Sequence, residues 1–384
     1  MSNYRPNVLI CPLDWGLGHT TRCIPIIYEL LNSGAEVIIA ADNNSIDLLK
    51  TEFPSLKYIF LKGYRVRFSD SLPLVFNLLL QLPRIILSIY REHFELKKIL
   101  MEHDPVLVVS DNRYGLWNKK VVTVFICHQI NPLPPAGFTF IAPLMKKISH
   151  WFIGKYDHCW VPDLAVEDSL TYRLSQGKHL PQNIKYIGYL SRFQKYNQEQ
   201  ISKEISPDIL YDIVALVSGP EPQRSSFEKL LTNELQNHPR SCLLLRGLTS
   251  KVSLPDGVPV YKTVNNLTIV SHLSGEILFR LLNPKTGQKP IVICRAGYSS
   301  LMDLSFTGNR IICVPTPGQT EQEYLAKEGA QKGQLVYCRQ RDFNLKHCLN
   351  KVKDTAGIKY QSNENIVKNE IKYILDCIKD DGVS

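Results

Sequence analysis

The chain has 384 residues, 44% of them hydrophobic and 21% charged, which excludes a disordered or fibrous protein and is enough for about two domains. With 45 Lys and Arg against 36 Asp and Glu, the formal charge of +9 points to anionic partners: phosphate-bearing substrates, an anionic membrane surface or nucleic acid. No clustered basic and aromatic residues resemble a nucleic-acid-binding motif, so no nucleic acid partner is expected.

The ten cysteines form no Cys-x-x-Cys pair, and Cys11, Cys127, Cys294 and Cys313 lie inside apolar runs. Buried free thiols in a reducing compartment are therefore expected, with no zinc site and no disulfide framework. The first apolar run begins almost at once, leaving no room for a signal region, so the expected location is cytoplasmic.

Val8 to Cys11 reads as a buried strand, and Ile24 to Leu31 as one face of a helix. Between them lies Trp15-Gly16-Leu17-Gly18-His19-Thr20-Thr21-Arg22. Two glycines let backbone amides approach a ligand at a helix start, which places His19 beside a phosphate or sugar site; the same turn could equally be a plain strand-to-helix connection with His19 capping the helix. Glu36 to Ala41 and Tyr58 to Leu61 are further strands, with a helix from Ser45 between them, the rhythm of a parallel sheet. Leu72 to Tyr90 is mostly apolar but is broken by Asn77, Gln81, Pro83 and Arg84. It predicts helices kinked at Pro83, either buried in the protein, the favoured reading, or lying on a membrane surface.

Pro105 to Ser110 is a buried strand that delivers Asp111, and Val121 to Cys127 delivers His128-Gln129-Ile130-Asn131. Ligands of open α/β sheets bind beyond the carboxyl ends of the strands, so His19, Asp111 and His128 should line one crevice. Ile141 to Tyr156 is a basic amphipathic helix, facing either the core or anionic lipid. His158 to Val161 and Lys185 to Ile187 close this first domain, and the chain turns polar over residues 191–206, a linker.

A second α/β pattern starts with Asp212 to Ser218, which runs into Gly219 and Arg224 and then a helix from Ser225. This is a second candidate phosphate loop, with Arg224 as a counter-charge. Strands at Ser241 to Leu245, Val258 to Lys262 and Pro290 to Cys294 follow. Arg295-Ala296-Gly297, with Ser299 and Ser300 opening a helix, offers amides and hydroxyls to a phosphate, while Asp303 one turn on suits a ribose hydroxyl. After Arg310 to Pro315, the acceptors Glu321, Gln322 and Glu323 suit sugar hydroxyls. Two doubly wound domains with a cleft between them are the expected architecture.

These residues resemble the GT-B-fold, metal-independent, nucleotide-sugar-dependent glycosyltransferases, in particular the group containing the lipid-linked N-acetylglucosaminyltransferase of peptidoglycan synthesis and its diacylglycerol-glycosylating relatives. Gly16-Leu17-Gly18-His19 matches that group's Gly-x-Gly-His loop. His128 to Asn131 is similar to its His-Glu-Gln-Asn stretch, and Cys294 to Gly297 followed by Asp303 matches its C-terminal signature, with Asp in place of Glu.

The resemblance implies two Rossmann-like domains facing across a cleft: residues 1–190 for the acceptor and 207–384 for the nucleotide sugar, the last helix packing back on the first domain. It implies acceptor binding by Gly16, Gly18, His128 and Asn131. On the donor side, Ser218 and Gly219 hold the diphosphate, assisted by Arg295, Gly297, Ser299 and Ser300. Asp303 takes the ribose, and Gln322 and Glu323 the sugar, with Glu323 where the group has Gln. No cofactor and no metal are implied. The donor is UDP-linked, the acceptor is a sugar or lipid-linked hydroxyl, and the enzyme works in the cytoplasm or peripherally at the inner face of the membrane.

Inverting transfer needs a base for the acceptor hydroxyl. His19 has the appropriate titration range, and Asp111 would hold its tautomer, as a His and Asp pair does in related small-molecule glucosyltransferases. Gly-Leu-Gly-His-x-x-Arg-Cys also resembles the loop of a nucleotide-sugar hydrolase of the pseudaminic acid pathway, and a non-catalytic GT-B binding scaffold is a third reading.

Overall fold

The computed structural model describes residues 5–14, 17–64, 74–135, 137–165, 169–196, 210–248, 261–285, 287–360 and 364–381. Trp15, Gly16, most of the 191–206 linker and the start of the expected strand at Val258 lie outside the described residues. The chain divides into two compact units, one of Met1–Arg67, Leu72–Leu190 and Gln361–Ser384, the other of Phe68–Ser71 and Ser191–Tyr360.

The first unit begins with β1 (Asn7–Pro12), α1 (Leu17–Asn32), β2 (Glu36–Ala41), α2 (Asn43–Glu52), β3 (Lys57–Phe60) and α3 (Leu74–His103). It continues with β4 (Leu107–Asp111), β5 (Val122–Ile126), α4 (Ala142–Ile153), β6 (His158–Val161) and β7 (Ile184–Tyr186). The strands form a seven-stranded sheet ordered β3-β2-β1-β4-β5-β6-β7, parallel at every pairing. Val8 to Cys11 and Leu107 to Val109 are buried, as expected of parallel strands covered by helices on both faces. The strand order reverses between β1 and β4, where Pro12 pairs with Asp111. This is the topological switch point at which such sheets bind ligands.

Instead of a segment packed away around Pro83, α3 is a single 30-residue helix with Pro83 inside it. It buries Glu92, Leu96 and Ile99, while Leu82, Ile86, Leu87, Tyr90 and Phe94 are exposed, Leu87 at 68%. The favoured buried reading of Leu72 to Tyr90 therefore does not hold over the part that is described. Periodicity predicts an apolar helix face but not what covers it. On α4, likewise, Leu144, Ile148 and Trp151 are exposed and only Ser149 and Ile153 are buried. No described helix is long and apolar enough to cross a membrane.

The second unit contains β8 (Ile213–Leu216), α5 (Gln223–Leu235), β9 (Cys242–Leu245), β10 (Tyr261–Val264), β11 (Leu267–Val270) and α6 (Gly275–Leu282). There follow β12 (Ile291–Cys294), α7 (Tyr298–Thr307), β13 (Ile311–Cys313), α8 (Thr320–Gln331), β14 (Val336–Tyr337) and α9 (Leu345–Lys351). Its sheet runs β10-β11-β9-β8-β12-β13-β14, and β10 is antiparallel to its neighbour. Ile213, Leu244, Ile293, Ile312, Phe227 and Leu231 join the sheet and α5 in one core. Again the order reverses, between β8 and β12, so the loops after these two strands lie side by side. The final helix, α10 (Glu364–Asp381), belongs to the first unit and packs against α1 there. All ten cysteines are free, and eight of them are buried.

Candidate active site

In the first unit, β1, β4 and β5 are neighbours, and their carboxyl ends carry α1, Asp111 and His128. His19 and Arg22 are one helical turn apart in the first turns of α1, so both side chains point to the same spot. That spot is Asp111, fully buried as the last residue of β4. His19 Nδ1 lies 2.8 Å from Asp111 Oδ1. Arg22 donates from Nε to Asp111 Oδ2 at 2.5 Å, and from Nη2 to Oδ1. Arg22 Nη1 lies 2.8 Å from His128 Nδ1, and Nη2 lies 2.8 Å from His19 Nδ1. The three strand ends converge as expected, and Arg22, to which the sequence pattern alone gives no role, is the residue that joins them. Its signal was the His-x-x-Arg spacing at a helix start.

Charge follows from this geometry. Burial alone would raise the Asp111 carboxyl, but Arg22 and His19 outweigh it and hold the group well below the usual carboxylate range. Burial would also weaken the charge of Arg22, yet Asp111 keeps it firmly protonated. His19 is pushed below its ordinary 6.5 by burial first and by the positive charge of Arg22 second, with Asp111 opposing. The cluster is therefore an ion pair carrying a neutral imidazole, and that imidazole retains 15% side-chain exposure.

A second buried ion pair supports the same strand end. Arg113 donates from Nε to Glu92 on α3 at 2.8 Å, and from Nη2 to the Lys62 carbonyl at 2.7 Å. Glu92 in turn accepts from the Tyr64 hydroxyl at 2.9 Å. Behind it, Gly115 lies so close to α3 that a Cβ there would sit 2.2 Å from the Ile89 carbonyl oxygen. Gly18 accepts from the Thr21 hydroxyl at 3.1 Å. Asn131 is occupied structurally: its Nδ2 donates to the carbonyls of Arg173 and Gln176 at 3.2 and 2.9 Å, and its Oδ1 lies 3.2 Å from His150 Nε2. Its amide thus shapes the loop beside His128.

In the second unit, Ser218 and Gly219 follow β8 and are exposed. Gly219 has φ +110° and open space where a Cβ would stand, so the loop needs glycine and leaves room beside it. Arg224 is not an available counter-charge: it donates to Glu221 and Glu228, each at 2.6 Å. Gly297 is the N-cap of α7 and makes no side-chain cap bond, with half-buried Ser299 and Ser300 in the first turn.

The Arg295 side chain is turned inward rather than toward a donor. It donates to the carbonyls of Val314 and Pro315 at 2.9 and 3.0 Å and to Gln340 Oε1 at 2.8 Å, and it stacks over Phe227 at 3.9 Å. Its Nη1 and Nη2 are thus committed to partners within the second unit.

Asp303 is buried, and its carboxylate accepts from Ser191 Oγ at 2.9 Å and from Arg192 Nε at 2.9 Å. A ribose hydroxyl would share the carboxylate with these partners. Gln322 Oε1 accepts from the Thr316 amide at 2.8 Å, and Glu323 lies 3.8 Å from Lys327. Among the described residues no His, Cys, Asp or Glu cluster could hold a metal ion.

Residues 283–378 match the glycosyltransferase family 28 C-terminal domain. An uncharacterised glycosyltransferase of Methanosarcina acetivorans is 26% identical over 336 residues, 83% of this chain and 82% of that protein. Among solved structures, Acinetobacter baumannii MurG aligns over 98% of this chain and 100% of its own with a TM-score of 0.52 at 12% identity. LpCGTa in complex with UDP aligns over 97% of this chain and 94% of its own with a TM-score of 0.55, also at 12% identity. Fold, relatives and C-terminal domain together make this chain a GT-B-fold glycosyltransferase similar to the family 28 enzymes.

Proposed function

We propose that the chain moves a sugar from a UDP-linked donor to an acceptor hydroxyl, with inversion and without a metal, and that His19 is the base. The observation that carries this reading is the His19 Nδ1 to Asp111 Oδ1 contact of 2.8 Å. With its proton on Nδ1, His19 takes the acceptor proton at Nε2. The acceptor oxygen then bonds to the anomeric carbon, and the bond from that carbon to the diphosphate oxygen breaks with its electron pair leaving on the nucleotide. In-line displacement inverts the centre.

The charge of the leaving diphosphate falls to the amides of the Ser218-Gly219 loop and the start of α7, with the hydroxyls of Ser299 and Ser300. Gln322 and Glu323 serve the sugar, and His128 the acceptor.

The acceptor in this reading is lipid-linked and met at an anionic membrane surface. Support comes from the exposed stripes Leu82, Ile86, Leu87, Tyr90 and Phe94 on α3 and Leu144, Ile148 and Trp151 on α4, interspersed with Arg84, Arg91, Lys146 and Lys147.

A panel of nucleotide sugars screened by thermal shift identifies the donor, since a ligand of the folded state raises its stability. His19→Ala is expected to keep donor binding and lose transfer by on the order of 10²-fold or more. Unchanged transfer in His19→Ala overturns the base assignment.

A further inference from the structure

We infer that Arg22 is a positioning residue that holds His19 and His128 in opposite tautomers, so that only His19 can act as a base and His128 serves as a hydrogen-bond donor. The inference rests on the proposed transfer reaction for its purpose, but its geometry stands apart from it.

A guanidinium donates and never accepts. The His128 Nδ1 that lies 2.8 Å from Arg22 Nη1 is therefore an acceptor, and the neutral ring carries its proton on Nε2. His19 Nδ1 is contacted by both Arg22 Nη2 and Asp111 Oδ1, each at 2.8 Å. If this nitrogen were bare, its lone pair would face a carboxylate oxygen at hydrogen-bonding distance with no proton between them. With the proton on Nδ1, it donates a charge-assisted bond to Asp111, and Arg22 Nη2 directs one of its two hydrogens to the same carboxylate, which meets both donors. The His19 lone pair is then at Nε2.

One buried cation thus sorts two chemically identical rings into one acceptor and one donor. The arrangement is fixed because Arg22 is only 1% exposed, is anchored to both carboxylate oxygens of Asp111 and spans the distance between the rings with its planar fork. A lysine could keep the charge opposite Asp111, but its single nitrogen could not hold both rings.

The test is nitrogen NMR of the full-length protein labelled with ¹⁵N-histidine, with His19→Gln and His128→Gln identifying the two signals. The expected wild-type pattern is a protonated Nδ1 and bare Nε2 for His19, and the reverse for His128. In Arg22→Lys the His128 signal is expected to become a mixture of tautomers, and kcat to fall by about tenfold or more with the donor KM little changed.

A wild-type His128 protonated on Nδ1 overturns the inference, whether or not Arg22→Lys folds. So does an Arg22→Lys protein whose tautomers and kcat match the wild type. The expected tautomers in a protein that stays active as His19→Ala would uphold the role of Arg22 and overturn only the base assignment.

Discussion

Asp111 accepts from His19 on one side and from Arg22 on the other, so a single buried carboxylate both orients the proposed base and neutralises a buried cation. The two duties separate in variants. His19→Ala leaves the Arg22 to Asp111 pair intact, so the fold should be retained and only transfer lost. Asp111→Asn removes the counter-charge of a buried guanidinium. It should lower kcat by on the order of 10²-fold or more and also cost about 3 kcal/mol of unfolding free energy. Urea denaturation beside transfer kinetics checks this, and equal stability of the two variants counts against the shared role.

The pH dependence follows from the lowered His19 value. His19 must be neutral to accept a proton, and burial together with Arg22 favours the neutral ring, with Asp111 opposing and His128 adding a small effect of the same sign as Arg22. The acid limb of kcat/KM should therefore have its midpoint below 6.5, the ordinary histidine value. The stability effect has the same sign. The unfolded chain binds the proton more readily than the folded one, so this group's contribution is present above 6.5 and is lost as the pH falls from there through the lower folded value. A midpoint above 6.5 would show that Asp111 dominates.

Asp303 holds Ser191 and Arg192, the first residues of the Ser191–Tyr360 segment of the second unit. Because Arg192 is partly exposed, the pair should be worth about 1 kcal/mol in a double-mutant cycle of Asp303→Ala and Arg192→Ala. The expected result is coupled losses of thermal stability, with the donor KM within about twofold of wild type. A large rise in donor KM in Asp303→Ala alone would return this carboxylate to the ribose.

The exposed stripes of α3 and α4 should bind vesicles. Flotation with anionic phospholipid is expected to carry the protein at low salt, and to fail at high salt as the attraction of the lysines and arginines is screened. Leu87→Glu combined with Trp151→Glu, two residues exposed at 68% and 57%, should weaken binding by about tenfold or more without changing the unfolding midpoint. Binding that is insensitive to both changes would place the lipid contact elsewhere.

The apolar strand runs and the loops after them were legible in the residues. The runs at Val8 to Cys11, Pro105 to Ser110 and Val121 to Cys127 carry β1, β4 and β5, whose cores are buried because a parallel sheet between helices demands continuous apolar residues. Strand order then brought His19, Asp111 and His128 together, as the switch-point rule requires. What local pattern could not decide was which partner each polar group takes.

Arg295 follows a strand and precedes a helix, like a ligand-binding arginine, yet it turns inward because carbonyls from two separate segments and the Gln340 side chain converge on it. Asp303 and Asn131 are likewise used by loops distant in sequence. Arg22 reads as a lone basic residue of α1 until Asp111 and His128, each about a hundred positions away, are placed on its fork. Hydrophobic periodicity is a short-range signal and determined the two doubly wound sheets. Hydrogen-bond pairing of buried charges is a long-range one, and only the tertiary structure decided it.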